Sequence, residues 1–138
     1  MSLKPRQLLE FAESLEVEAG ETHVRAAISR AYYAALLRAA QVTPSEFRKS
    51  PADRIENTHA QVIAAVERYA ASLRPGRTLA RQVAQNLTKL RADRVNADYH
   101  LETDITAIQA KTHLARARIT LEWCDDIFRS LATQTPGN

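Results

Sequence analysis

The chain has 138 residues, of which 45% are hydrophobic and 25% are charged, with a formal net charge of +3. This composition is typical of a folded globular domain and excludes a disordered or fibrous chain. Three glycines and a single cysteine exclude a glycine-rich phosphate loop, an internal disulfide and a zinc site built on cysteines.

The first half of the chain reads as helices, because no stretch alternates apolar and polar residues as a half-buried strand would. Pro5 suits a helix start and Gly20 a helix stop, so a first helix is predicted over 5–19. A second, alanine-rich helix is predicted over 22–41, and its small side chains let neighbouring helices approach closely. Residues 42–57 contain two prolines and many polar groups and predict a long surface loop.

The second half predicts three more helices. An apolar stripe places the third over 58–73, and Pro75 and Gly76 form a turn. No glycine or proline follows until Pro136, yet one helix from Arg77 onward would be about 85 Å long, too long for so small a domain to cover. We therefore predict helices over 77–99 and 104–132, the last one starting at Thr103 or Asp104.

These patterns predict one domain over residues 1–138, an all-α antiparallel bundle of about five helices with flexible ends at about 1–4 and 133–138. The longest uncharged apolar run, residues 31–37, is far too short to span a bilayer. We expect no membrane segment and a cytoplasmic location, which suits a lone cysteine.

One charged residue interrupts the apolar stripe of the fourth helix, which runs through Leu79, Val83, Leu87, Leu90, Arg94, Ala97 and Leu101. Burying an unpaired guanidinium is costly, so Arg94 needs a partner or an opening, and Asp98 lies one turn away. In a straight helix Arg94 and His100 point about 120° apart, so they converge only if the helix bends or a second chain contributes. Periodicity alone favours a structural Arg94–Asp98 pair beside a solvated His100.

Two stretches resemble a known family. Residues 25–40, RAAISRAYYAALLRAA, carry a tyrosine pair after Ser-Arg, and residues 90–100, LRADRVNADYH, carry an Arg-x-x-Ala-Asp-Tyr segment. Both patterns are similar to those of the HEPN superfamily of small prokaryotic helical domains, and their order, spacing and chain length agree with it. The resemblance implies a HEPN-like bundle.

The resemblance also implies an activity. Many HEPN domains are metal-independent endoribonucleases with an arginine and a histidine separated by four to six residues, commonly with a polar residue soon after the arginine. Arg94 and His100 fit this motif as catalytic residues, while Asn96, one place later than usual, and Asp98 are the supporting residues. It implies an RNA substrate, with no metal and no cofactor.

The proposed chemistry suits these residue types. RNA is cleaved when a 2′-OH attacks the adjacent phosphorus, which requires a base, an acid and charge compensation. Histidine, with a pKa of about 6.5, can act as base or acid, and arginine binds phosphate bidentately. Each chain supplies one His100, so a two-fold homodimer would bring two Arg94–His100 sets to one cleft. HEPN ribonucleases are similar in acting as dimers.

The resemblance implies a toxin of a toxin–antitoxin or defence pair, with a minimal nucleotidyltransferase as a possible antitoxin. The alternative is a non-catalytic HEPN module that binds a partner protein or a nucleotide, since the family has inactive members. A third hypothesis is a purely structural subunit of a larger helical complex.

Other candidate sites are weaker. A di-iron bundle needs two Glu-x-x-His pairs, and only Glu56 and His59 form one. Cys124 reads as a packed core thiol, and the two tyrosines, Tyr32 and Tyr33, as core filling. Arg30 is expected to pair with a residue such as Asp98, whereas Arg25 and Arg38 are expected to be solvated.

Overall fold

The computed structural model describes residues 3–47, 58–73 and 76–133, and the regular elements in this range are helices. The five α-helices are α1 (Pro5–Ser14), α2 (Glu21–Val42), α3 (Thr58–Ser72), α4 (Arg77–Tyr99) and α5 (Ala107–Thr133), with 3₁₀ turns at Val17–Ala19 and Ser45–Phe47. The predicted all-α bundle of five helices is therefore confirmed. Much of the predicted loop (48–57) and most of the predicted flexible ends (1–2 and 134–138) lie outside the described residues.

The first helix is shorter than predicted. Pro5 occupies its first position, and the Lys4 backbone N–H donates to the Gln7 side chain at 2.9 Å. The helix ends at Ser14 rather than at residue 19, because Leu15 adopts an extended conformation. This break allows Val17 to be buried in a small apolar cluster together with Val24 of α2. Burial of that side chain outweighs continuation of the helix.

The second helix is the centre of the bundle and contacts the other four helices. It begins after Gly20, whose φ of 149° is a conformation that favours glycine. Its close approach to its neighbours depends on small side chains, which are fully buried at Ala27, Ala31, Ala34, Ala35 and Ala39. After Val42 the Thr43 hydroxyl donates to the Ala39 carbonyl, which satisfies one of the last carbonyls of the helix.

The third and fourth helices form an antiparallel hairpin, because they pack against each other and only four residues separate Ser72 from Arg77. Gly76, the residue before α4, has a left-handed φ of 99°. The predicted stripe of α3 is confirmed, since Val62, Val66 and Tyr69 are buried and Leu73 packs against the core. The predicted bounds of α4 are confirmed as well.

The fifth helix starts three residues later than predicted. Thr106, not Thr103 or Asp104, precedes its first residue. The Gln109 N–H donates to the Thr106 hydroxyl at 3.1 Å, and the Thr106 N–H donates to the Gln109 side chain at 2.8 Å. This reciprocal pair is a capping box, which satisfies two free N–H groups of the first turn.

A buried histidine ties three helices together. His113 of α5 is 0% exposed at its side chain. Its Nδ1 lies 2.9 Å from an Asp93 carboxylate oxygen on α4, and its Nε2 lies 2.8 Å from the Ile28 carbonyl oxygen on α2. Both partners accept hydrogen bonds, so the imidazole acts as a buried cross-link.

None of the helices that the structure describes combines the length and the apolar character needed to cross a bilayer.

We expect His113→Ala to lower the free energy of unfolding by about 2–4 kcal/mol, because it opens a cavity and removes one buried and one partly buried hydrogen bond. Urea denaturation measures this effect. His23→Ala, at an exposed position of α2, is the matched control and should change stability by less than about 0.5 kcal/mol. Equal stability of the two variants would contradict the role of His113.

Candidate functional site

The arginine in the apolar stripe finds its partners within the chain. Arg94 Nε donates to Asp98 Oδ2 at 2.8 Å, which confirms the ion pair expected from the one-turn spacing. Arg94 Nη2 donates to the hydroxyl of Tyr33 at 2.8 Å and approaches that of Tyr99 at 3.4 Å. With 13% of its side chain exposed, Arg94 lies at the edge of the core rather than inside it.

Aromatic rings surround the same guanidinium. Its central carbon lies 5.2 Å from the ring centroids of both Tyr33 and Tyr99, and 6.0 Å from that of Tyr32. These separations allow cation–π attraction. Burial alone lowers the pKa of Arg94, but Tyr33, Asp98 and Tyr99 together raise it, so the group keeps its charge.

The Asp98 carboxylate is shared between α4 and α2. The Ser29 hydroxyl donates to the same oxygen, Oδ2, at 3.3 Å. Arg30, which was expected to reach Asp98, is exposed and makes no ion pair with the described residues. The Ser-Arg-Ala-Tyr-Tyr stretch therefore contacts the site through Ser29 and Tyr33, not through its arginine. The interpretation of both tyrosines as core filling holds for Tyr32, which is 0% exposed, but Tyr33 is a polar partner of Arg94.

The second residue of the motif lies at the end of α4. His100 caps the helix, and its N–H donates to the Asn96 carbonyl at 3.1 Å. Its side chain is 48% exposed, with Nδ1 3.5 Å from a Glu102 carboxylate oxygen. Leu101, expected to continue the apolar stripe, is instead 70% exposed, because the chain leaves the helix at His100. That expectation was wrong.

The four predicted site residues do not form a single contact cluster. Arg94 and Asp98 are joined, whereas no hydrogen bond or ion pair links Arg94 to His100 among the described residues. Asn96 lines a groove between α4 and α5, together with Asp93 and Arg116. Convergence of Arg94 and His100 on one cleft therefore stays a prediction.

The end of α4 is held by an arginine that was expected to be solvated. The Arg25 guanidinium donates to five carbonyl oxygens at 2.5–3.4 Å, those of Asn96, Ala97, His100, Leu101 and Thr103. The C-terminus of a helix carries partial negative charge, so a cation there is stabilising. Arg25 thus fixes the backbone on both sides of His100. The sequence offers no local signal for this contact, since its acceptors lie more than seventy residues away.

A second residue of this region is His59, which was expected to cap or pack at the start of α3 without a chemical role. Its Nδ1 lies 2.6 Å from the Tyr32 hydroxyl, and its ring stacks on Tyr32 with a centroid separation of 5.5 Å. Tyr33 packs edge-on against it at 5.6 Å. His59 therefore shares both tyrosines with Arg94.

Metal and thiol chemistry find no support among the described residues. No group of three or more His, Cys, Asp or Glu side chains within them could hold a metal ion. Glu56, half of the single Glu-x-x-His pair, lies outside them. Cys124 is buried, and desolvation raises the pKa of its thiol to about 12, as expected for a packed core cysteine.

Comparisons of the chain with protein-family models, with curated proteins and with solved structures find no match.

We expect Arg25→Met to lower the free energy of unfolding by about 1–3 kcal/mol, because the carbonyls at the end of α4 lose a charged donor. The hydrogen-bonded amides of His100 and Thr103 should also exchange faster with solvent. Amide exchange measured by NMR tests this. Arg30→Met, at an exposed position of the same helix, is the control and should leave both amides unchanged. Equal exchange in the two variants would show that Arg25 does not hold this segment.

Proposed function

We propose that this chain is a HEPN-type, metal-independent endoribonuclease in which Arg94 and His100 act on RNA. The observation that carries the proposal is the state of the Arg94 guanidinium. Asp98 and Tyr33 orient it through Nε and Nη2, whereas Nη1 has no hydrogen-bond partner among the described residues. Nη1 is also not among the buried polar atoms without a partner, so it reaches solvent. An oriented guanidinium with a free edge can bind a phosphate group.

The proposed reaction forms a bond between the ribose 2′-oxygen and phosphorus and breaks the bond from phosphorus to the 5′-oxygen of the next nucleotide. One histidine takes the proton of the 2′-OH, and another gives a proton to the departing 5′-oxygen. The products are a 2′,3′-cyclic phosphate and a 5′-OH. Arg94 would compensate the negative charge that builds up on the phosphorane oxygens. His100 is suited to proton transfer because its side chain is half exposed at the helix end.

A homodimer would supply the second His100. The residues on either side of it, Tyr99 and Leu101, are 65% and 70% exposed, and Ile108 at the start of α5 is 75% exposed. Exposed apolar side chains of this kind are typical of protein interfaces. A two-fold axis near this end of α4 would bring both His100 side chains together.

The proposed biological setting is a cytoplasmic toxin of a toxin–antitoxin or defence pair. Its possible partner is an antitoxin of the minimal nucleotidyltransferase type. Support for this setting comes from the resemblance of residues 25–40 and 90–100 to HEPN sequences.

A second candidate function is a non-catalytic HEPN module that binds a partner protein or a nucleotide. One observation favours it: Arg94 is already neutralised by Asp98 and bonded to Tyr33 within the chain. Such an arginine has a structural reason to interrupt the apolar stripe without any catalytic role.

We expect a homodimer in solution, because proton transfer in the proposed reaction uses two His100 side chains. Light scattering at micromolar concentration measures the mass. Leu101→Glu should yield a monomer that no longer cleaves RNA, whereas Phe11→Glu, on the exposed face of α1, should stay dimeric. A wild-type mass of 15.4 kDa, that of one chain, would rule out the shared site.

We expect His100→Ala to slow RNA cleavage by about 100- to 10,000-fold while changing stability by less than about 1 kcal/mol. Arg94→Ala should abolish cleavage and cost about 1–3 kcal/mol, because Asp98 loses its partner. Arg94→Lys should restore stability better than cleavage, because lysine lacks the bidentate fork.

Cleavage assays beside thermal melts test these three variants, with His23→Ala as the control. The wild type should remain active in EDTA. If His100→Ala cleaves RNA as fast as the wild type, the non-catalytic module becomes the better description. Loss of cleavage in EDTA that magnesium restores would contradict the metal-independent reaction.

A further inference from the structure

The hairpin of α3 and α4 places His59 opposite the cationic part of α4. The two helices are antiparallel. His59 and Leu90 are the same number of residues from the ends of α3 and α4 that the chain connects, so they stand at the same level of the hairpin. The side chains just beyond Leu90 on α4 are therefore the neighbours of His59. Two of them are arginines, Arg91 and Arg94, which lie one helical turn apart on the same face.

The imidazole of His59 is held in one orientation. It stacks almost parallel on Tyr32, with 9° between the rings, and meets Tyr33 edge-on. Burial raises the pKa of Tyr32 to about 12, so the hydroxyl keeps its proton. That hydroxyl has no other hydrogen-bond partner among the described residues, so it donates to Nδ1 of His59. The neutral imidazole then carries its own hydrogen on Nε2.

The Nε2–H group of His59 is an unused donor. It has no hydrogen-bond partner within the described part of the chain, and it is not one of the buried polar atoms without a partner, which are Tyr69 Oη and Arg77 Nε. The His59 side chain is partly exposed among the described residues. Desolvation, followed by the charges of Arg94 and Arg91, lowers the pKa of His59, which keeps the ring neutral near neutral pH.

Arg91 is a second unused donor. It is half-buried, and within the described ranges its guanidinium makes neither a hydrogen bond nor an ion pair. Its charge lowers the pKa of both Tyr32 and His59, which agrees with the register of the two helices in placing it in the same part of the bundle. The free edge of Arg94 is the third donor of this region. Asp98, paired with Arg94 and bonded to Ser29, supplies the carboxylate in direct contact with these groups.

We infer that His59, Arg91 and the free edge of Arg94 form a subsite for a backbone phosphate of a single-stranded RNA. An anion fits because two guanidinium groups and one N–H lie in the same part of the bundle, near Tyr32, where Asp98 is the carboxylate that the described residues pair with them. The subsite deepens the proposed function, on which its RNA ligand rests, but it is tested by binding rather than by cleavage.

The experiment uses a deoxyuridine hexanucleotide, which has no 2′-OH and cannot undergo the proposed cleavage. Its affinity for the full chain is measured by fluorescence anisotropy over a series of salt concentrations. Arg91→Gln should weaken binding about tenfold and reduce the slope of log affinity against log salt by about 0.7, since one phosphate contact is lost. His59→Phe keeps the ring stack and removes an uncharged donor. It should weaken binding several-fold without changing the slope.

The matched control is Arg81→Gln, which removes an exposed guanidinium nearer the start of α4 and should leave affinity and slope unchanged. Inorganic phosphate should compete with the hexanucleotide on the wild type. Binding by Arg91→Gln and His59→Phe that equals the wild type, or no binding by the wild type, would overturn the subsite. Cleavage of RNA by those two variants at the wild-type rate would leave the ribonuclease proposal standing. Conversely, Arg91-dependent binding by a chain that never cleaves RNA would support the subsite and overturn the ribonuclease.

Discussion

A helix that contacts four others must present small side chains to them, and this constraint on α2 organises the whole bundle. Its buried alanines let the neighbouring backbones come close. Close packing leaves little room for water, so each polar group that α2 carries into an interface needs a partner on the facing helix. Arg25, Ser29 and Tyr33 follow one another at four-residue spacing along one face, and all three find their partners on α4 or in the turn after it.

These contacts form a polar seam between α2 and α4. At one end Arg25 binds backbone carbonyls in the last turn of α4 and just after it, and further along Ser29 and Tyr33 bind Asp98 and Arg94. A one-residue slide of α4 would strand a guanidinium and a carboxylate together, each at a cost larger than that of an apolar mismatch. The seam thus fixes the register of the helix that carries His100. His113, cross-linking α5 to the same pair of helices, does the same for the last helix.

Local interactions account for what could be predicted from the sequence. The start of α4 follows from the glycine before it, and the Arg94–Asp98 pair follows from a spacing within one turn. The helix count follows from periodicity together with the length that a single final helix would need. The capping box formed by Thr106 and Gln109 is also a local interaction. The start of α5 was nevertheless predicted at Thr103 or Asp104, which lie nearer the expected helix break.

What could not be predicted depends on partners far apart in the chain. In the sequence Arg25 cannot be distinguished from a surface arginine. Its hydrogen-bond acceptors are backbone carbonyls of α4 and the residues after it, and backbone groups do not appear in a pattern of side chains. His59 lies twenty-seven residues from Tyr32, and only the packing of α3 on α2 brings the two rings together. The prediction that the apolar stripe continues to Leu101 was wrong. The residue pattern continues at helical spacing, but the backbone leaves the helix at His100.

The contacts of Arg94 weaken the inference of function from its position in the apolar stripe. An arginine in an apolar stripe suggests function only when no partner within the fold accounts for it. Asp98, Tyr33 and Tyr99 are such partners of Arg94. The stronger indication comes from three donors that have no hydrogen-bond partner among the described residues: Nη1 of Arg94, the guanidinium of Arg91 and Nε2 of His59. In the proposed subsite all three donors lie near Tyr32, and one anionic ligand would contact them together.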